Sequence, residues 1–174
     1  MSVKGHVVFS HGSDGTPFGT KIRALYEIAE SEGYEVAAVD YRGLADPGER
    51  VQLLQEFCRD FSSHLVLVGS SLGGYVSLAA APTLRAKGVF LMAPAIHAPG
   101  IPQLARGLPD CPIAVVHGWR DEVIPCEQSM RFARENGLAL HLVESDHRLH
   151  SAIPFLRYLF QYFLIETRRA LYMP

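Results

Sequence analysis

The sequence is poor in the residues that mark metal-binding and disulfide-rich proteins. Only three of its 174 residues are cysteine, at Cys58, Cys111 and Cys126, and their spacing matches no zinc motif. An odd number of thiols cannot complete a disulfide framework and is typical of a protein in a reducing cytoplasm. We therefore interpret the three cysteines as structural, and we expect a cytoplasmic protein without a metal.

The chain also lacks a strong charge of either sign and a long hydrophobic run. Its formal net charge is -2 and its pI is about 6.4, and its basic residues are scattered, which argues against nucleic acid or an acidic membrane surface as a partner. The longest apolar stretch, residues 158–165, is too short to span a bilayer. The N-terminal segment does not resemble a secretory signal. A protein that acts on a small molecule is the simpler interpretation.

What the sequence does contain is a regular alternation of strand-like and helix-like segments. With 48% hydrophobic residues, the chain can form one sound core, and we expect a single domain over residues 1–174. The predicted strands are residues 6–9, 35–39, 65–68, 88–92, 113–116 and 138–143, and the predicted helices are residues 18–29, 47–61, 72–81, 127–135 and 151–171. This alternation predicts a three-layer α/β/α fold with a mainly parallel sheet of about six strands.

Two local signals refine this prediction. Pro82 is expected to close the helix that begins at Leu72. The segment from Ala95 to Cys111 is rich in proline and glycine but too short for a lid domain, so we expect a loop over an open site. Ligands of parallel sheets bind beyond the carboxyl ends of the strands, and each candidate residue below follows a predicted strand.

The most informative motif is Gly69-Ser70-Ser71-Leu72-Gly73, which lies between the third predicted strand and the third predicted helix. A serine in a sharp strand-to-helix turn has an exposed hydroxyl and a strained backbone, and the positions flanking it must lack bulk. Both outer positions of the motif are glycine. Ser71 is therefore a candidate nucleophile.

Candidate partners for Ser71 follow the fifth and sixth predicted strands. A serine hydroxyl needs a general base to accept its proton and a carboxylate to fix the tautomer of that base. Asp121 ends the run His117-Gly118-Trp119-Arg120-Asp121, and His147 ends the run Ser145-Asp146-His147. The order Ser71, Asp121, His147 is the order of the triad in α/β-hydrolases.

Together these motifs resemble those of the α/β-hydrolase superfamily. The resemblance covers nearly the whole chain, through Ser10-His11-Gly12, Asp40-Tyr41-Arg42-Gly43, Gly69 to Gly73, His117 to Pro125 and Asp146-His147. It implies a minimal hydrolase fold without a cap domain, similar to that of dienelactone-hydrolase-like esterases. Those enzymes use cysteine where this chain has Ser71, so fold and reaction class carry over better than substrate.

The resemblance implies a role for each matching residue. Ser71 would attack an acyl carbon, and His147 would act first as base and then as acid. Asp121 would orient and stabilise the imidazolium. The backbone N–H groups of Leu72 and Ser13 would hold the oxyanion.

The residues around the candidate nucleophile have other interpretations. The turn from Gly69 to Gly74 could be a plain turn or a phosphate cradle, although no lysine follows it as a P-loop requires. The loop from His11 to Gly15 is not a glycine-rich lipase-type run, and its Asp14 would place a negative charge near the oxyanion. We interpret His11 as a residue that shapes this loop.

The candidate acid and base also have alternatives. Asp121 could cap the following helix or pair with Arg120. The acids that could replace it are Asp46, Asp110 and Glu144. A metal site is a further alternative, with Glu144, Asp146, His147 and His150 as ligands, but no second cluster at a recognised spacing supports it.

The C-terminal segment is rich in aromatic residues. These are Phe155, Tyr158, Phe160, Tyr162 and Phe163. We interpret them as core residues of the last helix, with a homodimer contact as the alternative.

The leading hypothesis is a cytoplasmic serine hydrolase, similar to carboxylesterases, that cleaves an ester or thioester of a small-molecule acyl substrate without a cofactor. Its rate should rise with pH as His147 loses its proton. A catalytically inactive scaffold that serves as a binding module is the alternative from another class. A peptidase or amidase that uses the same triad is the third, because nothing in the sequence separates ester from amide substrates.

Overall fold

The computed structural model describes residues 5–61 and 64–169. Its elements in chain order are β1 (His6–Ser10), α1 (Thr20–Ser31), β2 (Glu35–Val39), α2 (Pro47–Phe57), β3 (Leu65–Ser70), α3 (Leu72–Leu84), β4 (Gly88–Met92), β5 (Ile113–Gly118), α4 (Cys126–Asn136), β6 (Ala139–Val143), a 3₁₀ turn (His150–Ala152) and α5 (Ile153–Arg169). All six predicted strands and all five predicted helices are present in this part of the chain.

The six strands form one parallel sheet in the order β2-β1-β3-β4-β5-β6. The register aligns the carboxyl ends of the strands, with Ser10 beside Gly69, Ser70 beside Met92 and Gly118 beside Val143. Each strand is followed by its connecting loop at this edge of the sheet. The predicted fold class is therefore confirmed, and the loops that carry the candidate residues meet at one edge.

Helices cover both faces of the sheet because alternate strand residues point to opposite sides. On one face, side chains of α2, α3 and α4 pack with strand residues such as Val8 and Val115. On the other face, side chains of α1 and α5 pack with Val7 and Val116. Consecutive residues of one strand thus belong to different halves of the core, which makes three layers.

Helix α3 extends past the end predicted for it. Pro82 lies inside the helix, which continues to Leu84 and is closed by Arg85 in the left-handed region, with φ 52°. A proline in the last turn removes only the hydrogen bond to the carbonyl of Leu78. Most of α3 is buried, so tertiary packing outweighs that loss.

Other helix boundaries also differ from those predicted. Helix α1 begins at Thr20, after Pro17 and Gly19, and leaves Phe18 64% exposed outside the helix. Helix α2 ends at Phe57 instead of residue 61, and the ring of Phe61, beyond this end, stacks on the ring of His6 at a centroid distance of 4.1 Å. The end predicted at residue 171 for the last helix lies outside the described residues.

The aromatic residues of α5 divide between core and surface. Phe160 and Phe163 are buried, and both rings pack edge-on against Phe90 of β4. Phe155, Tyr158 and Tyr162 remain exposed. The interpretation of this segment as core is therefore correct for one side of the helix only.

Residues 93–112, between β4 and β5, contain no helix or strand. This segment is the proline- and glycine-rich loop predicted from the sequence. It leaves no room for a cap domain between these two strands. Along residues 5–61 and 64–169, no helix has the length and apolar character that crossing a membrane requires.

A buried histidine links the stability of this fold to pH. The Nε2–H of His64 donates to Thr167 Oγ1 over 3.1 Å, because that hydroxyl itself donates to the Leu164 carbonyl. Burial, together with the positive charges of Arg168 and Lys87, lowers the pKa of His64 to about 4. In the unfolded chain the pKa is about 6.5, so the stability that neutral His64 contributes is present above that value and is lost as the pH falls towards 4.

We therefore expect the free energy of unfolding to fall as the pH is lowered from about 7.5 to about 5, with His64 accounting for roughly 2 kcal/mol of the decrease. Urea unfolding at a series of pH values measures it. His64→Gln should flatten the dependence, since glutamine can still donate to Thr167 but does not titrate. Identical pH dependence in the two proteins would contradict the expectation.

Candidate active site

Ser71 lies in the turn between β3 and α3, with φ 55° and ψ -123°. A positive φ in a residue other than glycine costs about 1–3 kcal/mol and persists only where surrounding contacts enforce it. The N–H of Ser71 donates to the Met92 carbonyl over 3.0 Å, and its carbonyl accepts from Ala95 and Gly74, each over 2.9 Å. Hydrogen bonds thus hold the strained backbone on both sides, and the backbone strain that the motif predicts is present.

The flanking glycines are required by close backbone approaches. A Cβ at Gly69 would collide with the carbonyl of Gly73, and a Cβ at Gly73 would collide with the carbonyl of Ser10. The turn therefore packs against the end of β1 with no room for a side chain. This is the lack of bulk that the motif predicted.

The loop after β1 lies directly against the side chain of Ser71. A Cβ at Gly12 would lie 3.0 Å from Ser71 Cβ and 3.4 Å from Ser71 Oγ. Ser13 follows in this loop and is exposed, as is Asp14. Within the described chain, neither the backbone N–H of Ser13 nor that of Leu72, the first residue of α3, has a recorded hydrogen-bond partner.

Asp121 and His147 are in direct contact, although 26 residues separate them. His147 Nδ1 lies 2.7 Å from Asp121 Oδ2. The loops after β5 and β6 continue the pairing of these strands, since the N–H groups of Trp119 and Arg120 donate to the Val143 and Ser145 carbonyls. The acid and base predicted from separate motifs therefore lie together at the carboxyl edge of the sheet.

The carboxylate of Asp121 accepts four hydrogen bonds. Oδ1 accepts from the N–H groups of Val123 and Ile124, and Oδ2 accepts from His147 and His117. Burial alone would raise the pKa of Asp121, but the hydrogen bonds from Ile124, His147 and Val123 outweigh it and hold the pKa below its ordinary value. Asp121 is therefore ionised and fixed in one orientation.

His117 is the fully buried partner of this carboxylate. Its Nε2 lies 2.9 Å from both Asp121 Oδ2 and the Ile124 carbonyl, so Nε2 must carry the proton. Its Nδ1 then accepts from the Ser129 hydroxyl over 2.7 Å. Burial lowers the pKa of His117, against the opposing effects of Ile124 and Asp121. The neutral imidazole of His117 thus donates a hydrogen bond to Asp121 Oδ2, the oxygen that also contacts His147.

The base loop also reaches the first helix. Lys21 Nζ, in the first turn of α1, donates to the His147 carbonyl over 3.2 Å. Burial lowers the pKa of Lys21 to about 8, partly offset by Asp121 and Asp146. This contact joins the loop after β6 to helix α1. The loop that precedes α1 contains Gly12, which lies against Ser71. The Ser71 hydroxyl itself has no recorded hydrogen-bond partner among the described residues, His147 included.

The competing interpretations of the acids are not supported by their contacts. Asp146 Oδ1 accepts from the N–H groups of Arg148 and Leu149, and Glu144 forms an exposed ion pair with Arg120 at 2.8 Å. Asp46 caps α2 through the N–H of Glu49. Within residues 5–61 and 64–169, no cluster of three or more histidine, cysteine or acidic side chains is arranged to hold a metal ion.

Comparison with known proteins identifies the family to which this fold belongs. The model of the alpha/beta hydrolase family matches residues 7–171. The chain belongs to the alpha/beta hydrolase family. No match to it was found among curated proteins. The resemblance inferred from the sequence motifs is therefore confirmed.

Solved structures of this family superpose on most of the chain. A member of the alpha/beta hydrolase superfamily from Xanthomonas campestris pv. campestris is 30% identical, with a TM-score of 0.87, and the match covers 95% of this chain and 99% of the other. Est1E from Butyrivibrio proteoclasticus is 18% identical, with a TM-score of 0.78 and coverage of 96% and 89%. A serine hydrolase without a lid, also from X. campestris, is 19% identical, with a TM-score of 0.77 and coverage of 95% and 83%. The last two comparisons show the fold alone.

Sequence reasoning missed two residues around this site. They are His117, which contacts Asp121, and Arg50, which contacts the loop before Ser13. Both are polar side chains that the structure buries almost completely. The only sequence signal was the position of His117, four residues before Asp121.

Proposed function

We propose that this hydrolase is a serine enzyme that cleaves carboxylic esters or thioesters through an acyl-enzyme on Ser71. The observation that carries the proposal is the contact of 2.7 Å between His147 Nδ1 and Asp121 Oδ2, at the sheet edge where Ser71 is held at φ 55°. Because the ionised carboxylate accepts the proton on Nδ1, Nε2 of a neutral His147 is left as an acceptor.

In the first half of the reaction, His147 Nε2 takes the proton of the Ser71 hydroxyl while Oγ attacks the acyl carbon. The N–H groups of Leu72 and Ser13 stabilise the negative charge that forms on the carbonyl oxygen. The imidazolium, stabilised by Asp121, then gives its proton to the leaving alcohol or thiol as the ester bond breaks. Serine–histidine hydrogen bonds are often long in unliganded enzymes and tighten when substrate binds, which is consistent with an unpartnered Ser71 hydroxyl.

In the second half, water replaces the alcohol. His147 takes a proton from the water as its oxygen attacks the acyl carbon, and the same N–H groups stabilise the second oxyanion. The proton returns to Ser71 Oγ as the acyl bond breaks, which releases a carboxylic acid and restores the enzyme. No step requires a group that the chain does not supply.

The pH dependence of catalysis tests this assignment. We expect kcat/KM for p-nitrophenyl acetate to rise tenfold per pH unit at low pH and then level off, because the proposed mechanism needs one general base in its neutral form. Asp121 contributes no second ionisation in this range, since hydrogen bonds hold its pKa below the ordinary value. Initial rates between about pH 5 and pH 8 measure the profile. A hundredfold rise per pH unit, or a flat profile, would show that the assignment is wrong.

A cavity of about 640 Å³ lies between the loop after β4 and helix α4, and Ser71, Asp121 and His147 are not among its lining residues. It is lined by Tyr75, one turn after Ser71 on α3, and by Ile96, which follows the residue that hydrogen-bonds the Ser71 carbonyl. The lining also includes apolar side chains of the loop after β4, such as Leu104 and Leu108. We therefore do not assign this cavity to the acyl group of the substrate.

A substrate panel separates the reaction classes. It contains p-nitrophenyl esters graded by acyl length, matched thioesters and matched anilides. Methyl ferulate is added because ferulic acid is bound to Est1E, a relative that is 16% identical over 96% of this chain. Burst release of p-nitrophenol from the esters supports an acyl-enzyme. Cleavage of the anilides with no turnover of the esters would favour an amidase.

A further inference from the structure

Arg50 is a charged side chain buried without a carboxylate. It lies on α2 and is 2% exposed, and no acid in the described chain forms an ion pair with it. Its Nε donates to the Leu44 carbonyl over 2.6 Å, and its Nη1 lies 3.4 Å from the carbonyls of His11 and Gly12. Burying a charge in this way is energetically unfavourable. A function in the loop after β1 would explain why the charge is retained there.

Three hydrogen-bond donors surround the carbonyl oxygen of Gly12. It lies 2.7 Å from His11 Nδ1, 3.3 Å from the N–H of Gly15 and 3.4 Å from Arg50 Nη1. The tautomer of His11 is defined, because its Nε2 accepts the N–H of Tyr41 over 2.9 Å and its Nδ1 must therefore carry the proton. Three donors thus hold one carbonyl oxygen.

A carbonyl oxygen held in this way also orients the following N–H. The bond between Gly12 and Ser13 is trans, as no cis peptide occurs among the described residues, so the Gly12 C=O and the Ser13 N–H point in opposite directions. The Ser13 N–H therefore points away from Arg50. Gly12 is the residue that lies against Ser71 Cβ and Oγ.

The positive charge of Arg50 beside the Gly12 carbonyl also makes the Ser13 N–H a stronger hydrogen-bond donor. Hydrogen bonds in a chain polarise one another, and a cation at the carbonyl oxygen withdraws electron density from the whole peptide group. Tyr41 keeps the guanidinium in place, with its ring centre 5.2 Å from the central carbon of Arg50. The Tyr41 hydroxyl is fixed in turn by Ser10, over 2.9 Å.

We propose that Arg50 is a positioning residue that, together with His11, fixes the peptide between Gly12 and Ser13 so that the Ser13 N–H faces the oxyanion formed on Ser71. The inference rests on the proposed function, since it assigns a task in the same reaction. Arg50 does not touch the substrate. Arg50 acts through the peptide between Gly12 and Ser13. Its effect on the rate should be largest in the steps that form the oxyanion.

Steady-state kinetics of Arg50 variants, combined with an inhibitor that mimics the oxyanion, test this proposal. The variants are Arg50→Met, which removes the charge and the donors, and Arg50→Lys, which keeps the charge. Arg42→Met is the matched control, because Arg42 follows the neighbouring strand but is exposed and pairs with Asp40. The readouts are kcat and KM for p-nitrophenyl acetate and the inhibition constant of a trifluoromethyl ketone, which adds to the serine as a tetrahedral oxyanion.

We expect Arg50→Met to lower kcat by about 10-fold to 100-fold, less than the 10²- to 10³-fold effect of deleting an oxyanion donor, because a misplaced donor is not a missing one. KM should change less than about twofold, and the inhibition constant should rise by the same factor as kcat falls, since both report stabilisation of the oxyanion. Arg50→Lys should recover part of both losses. Arg42→Met should match wild type.

Several results would overturn the proposal. An unchanged kcat in folded Arg50→Met would do so, as would a fall in kcat without weaker inhibition, which a merely structural role could produce. Thermal melting verifies folding, and Arg50→Gln, which keeps a neutral donor, is held to the same criteria if the methionine variant does not fold. If wild type shows no esterase activity that Ser71→Ala removes, the proposed function fails and this inference fails with it. An active wild type with an indifferent Arg50 rejects the inference alone.

Discussion

Replacing Ser71 with alanine should lower kcat for p-nitrophenyl acetate by roughly 10⁶-fold, to the level of residual catalysis by the oxyanion donors and substrate binding. The variant loses the atom that forms the acyl-enzyme, while His147 and Asp121 keep their contact. The backbone at position 71 stays at positive φ, which alanine tolerates about as poorly as serine. We therefore expect the melting temperature to change little. Stopped-flow and steady-state release of p-nitrophenol measure the effect.

The neighbouring serine is the matched control for this prediction. Ser70 is the last residue of β3 and is buried, with 4% exposure, and no step of the mechanism uses it. Ser70→Ala should retain kcat within a few-fold of wild type. Ester hydrolysis that survives in Ser71→Ala, or that disappears equally in Ser70→Ala, would reject the assignment of the nucleophile.

Replacing Asp121 with asparagine should lower kcat near neutral pH by roughly 10⁴-fold, the effect known for the equivalent change in another triad. The amide oxygen must take the place of Oδ1, which accepts two backbone N–H groups, so the NH₂ group takes the place of Oδ2. That NH₂ faces two imidazoles that donate to Oδ2 in the wild type. His147 then adopts the tautomer with its proton on Nε2, which cannot accept the proton of Ser71.

Asp110→Asn is the control for the loss of one negative charge. Asp110 is exposed in the loop before β5, and it was one of the acids that could have replaced Asp121 on sequence grounds. Its variant should keep wild-type kcat. If Asp121→Asn loses less than about tenfold, or Asp110→Asn loses as much, then Asp121 is not the acid that orients His147.

The main features of the site could be predicted because they depend on local sequence. The turn around Ser71 needs two glycines at fixed positions, and the structure shows the backbone collisions that exclude any side chain at Gly69 and Gly73. Asp121 and His147 each follow a strand, and parallel pairing of β5 and β6 brings the two loops together. Local patterns and the topology of the sheet were sufficient for these residues.

The residues that surround the site could not be predicted in the same way. Arg50 contacts Gly12 across 38 residues, and its side chain is buried because α2 packs beside the loop after β1. An arginine on a helix usually lies in solvent, so its sequence position carried no signal. The contacts of His117 could not be predicted either, because the side chain of a strand residue can point to either face of the sheet. The packing of α4 places Ser129 next to it.

Boundaries were also decided by packing. Pro82 is a reliable signal for the end of a helix only where a helix depends on its own hydrogen bonds. Helix α3 is buried on nearly all sides, and its contacts with β3 and α2 outweigh one lost bond. Phe18 had the helical spacing of a core residue, but the turn formed by Pro17 and Gly19 places it before α1.

The most direct test of the account is the reaction of the folded protein with a fluorophosphonate, followed by peptide mapping by mass spectrometry. The reagent modifies a serine only where a base removes its proton and donors stabilise the developing charge. The account predicts one adduct per chain, on the peptide that contains Ser71, with labelling slowed by orders of magnitude in Asp121→Asn. A folded protein that stays unlabelled, or that is labelled at another serine, would contradict it.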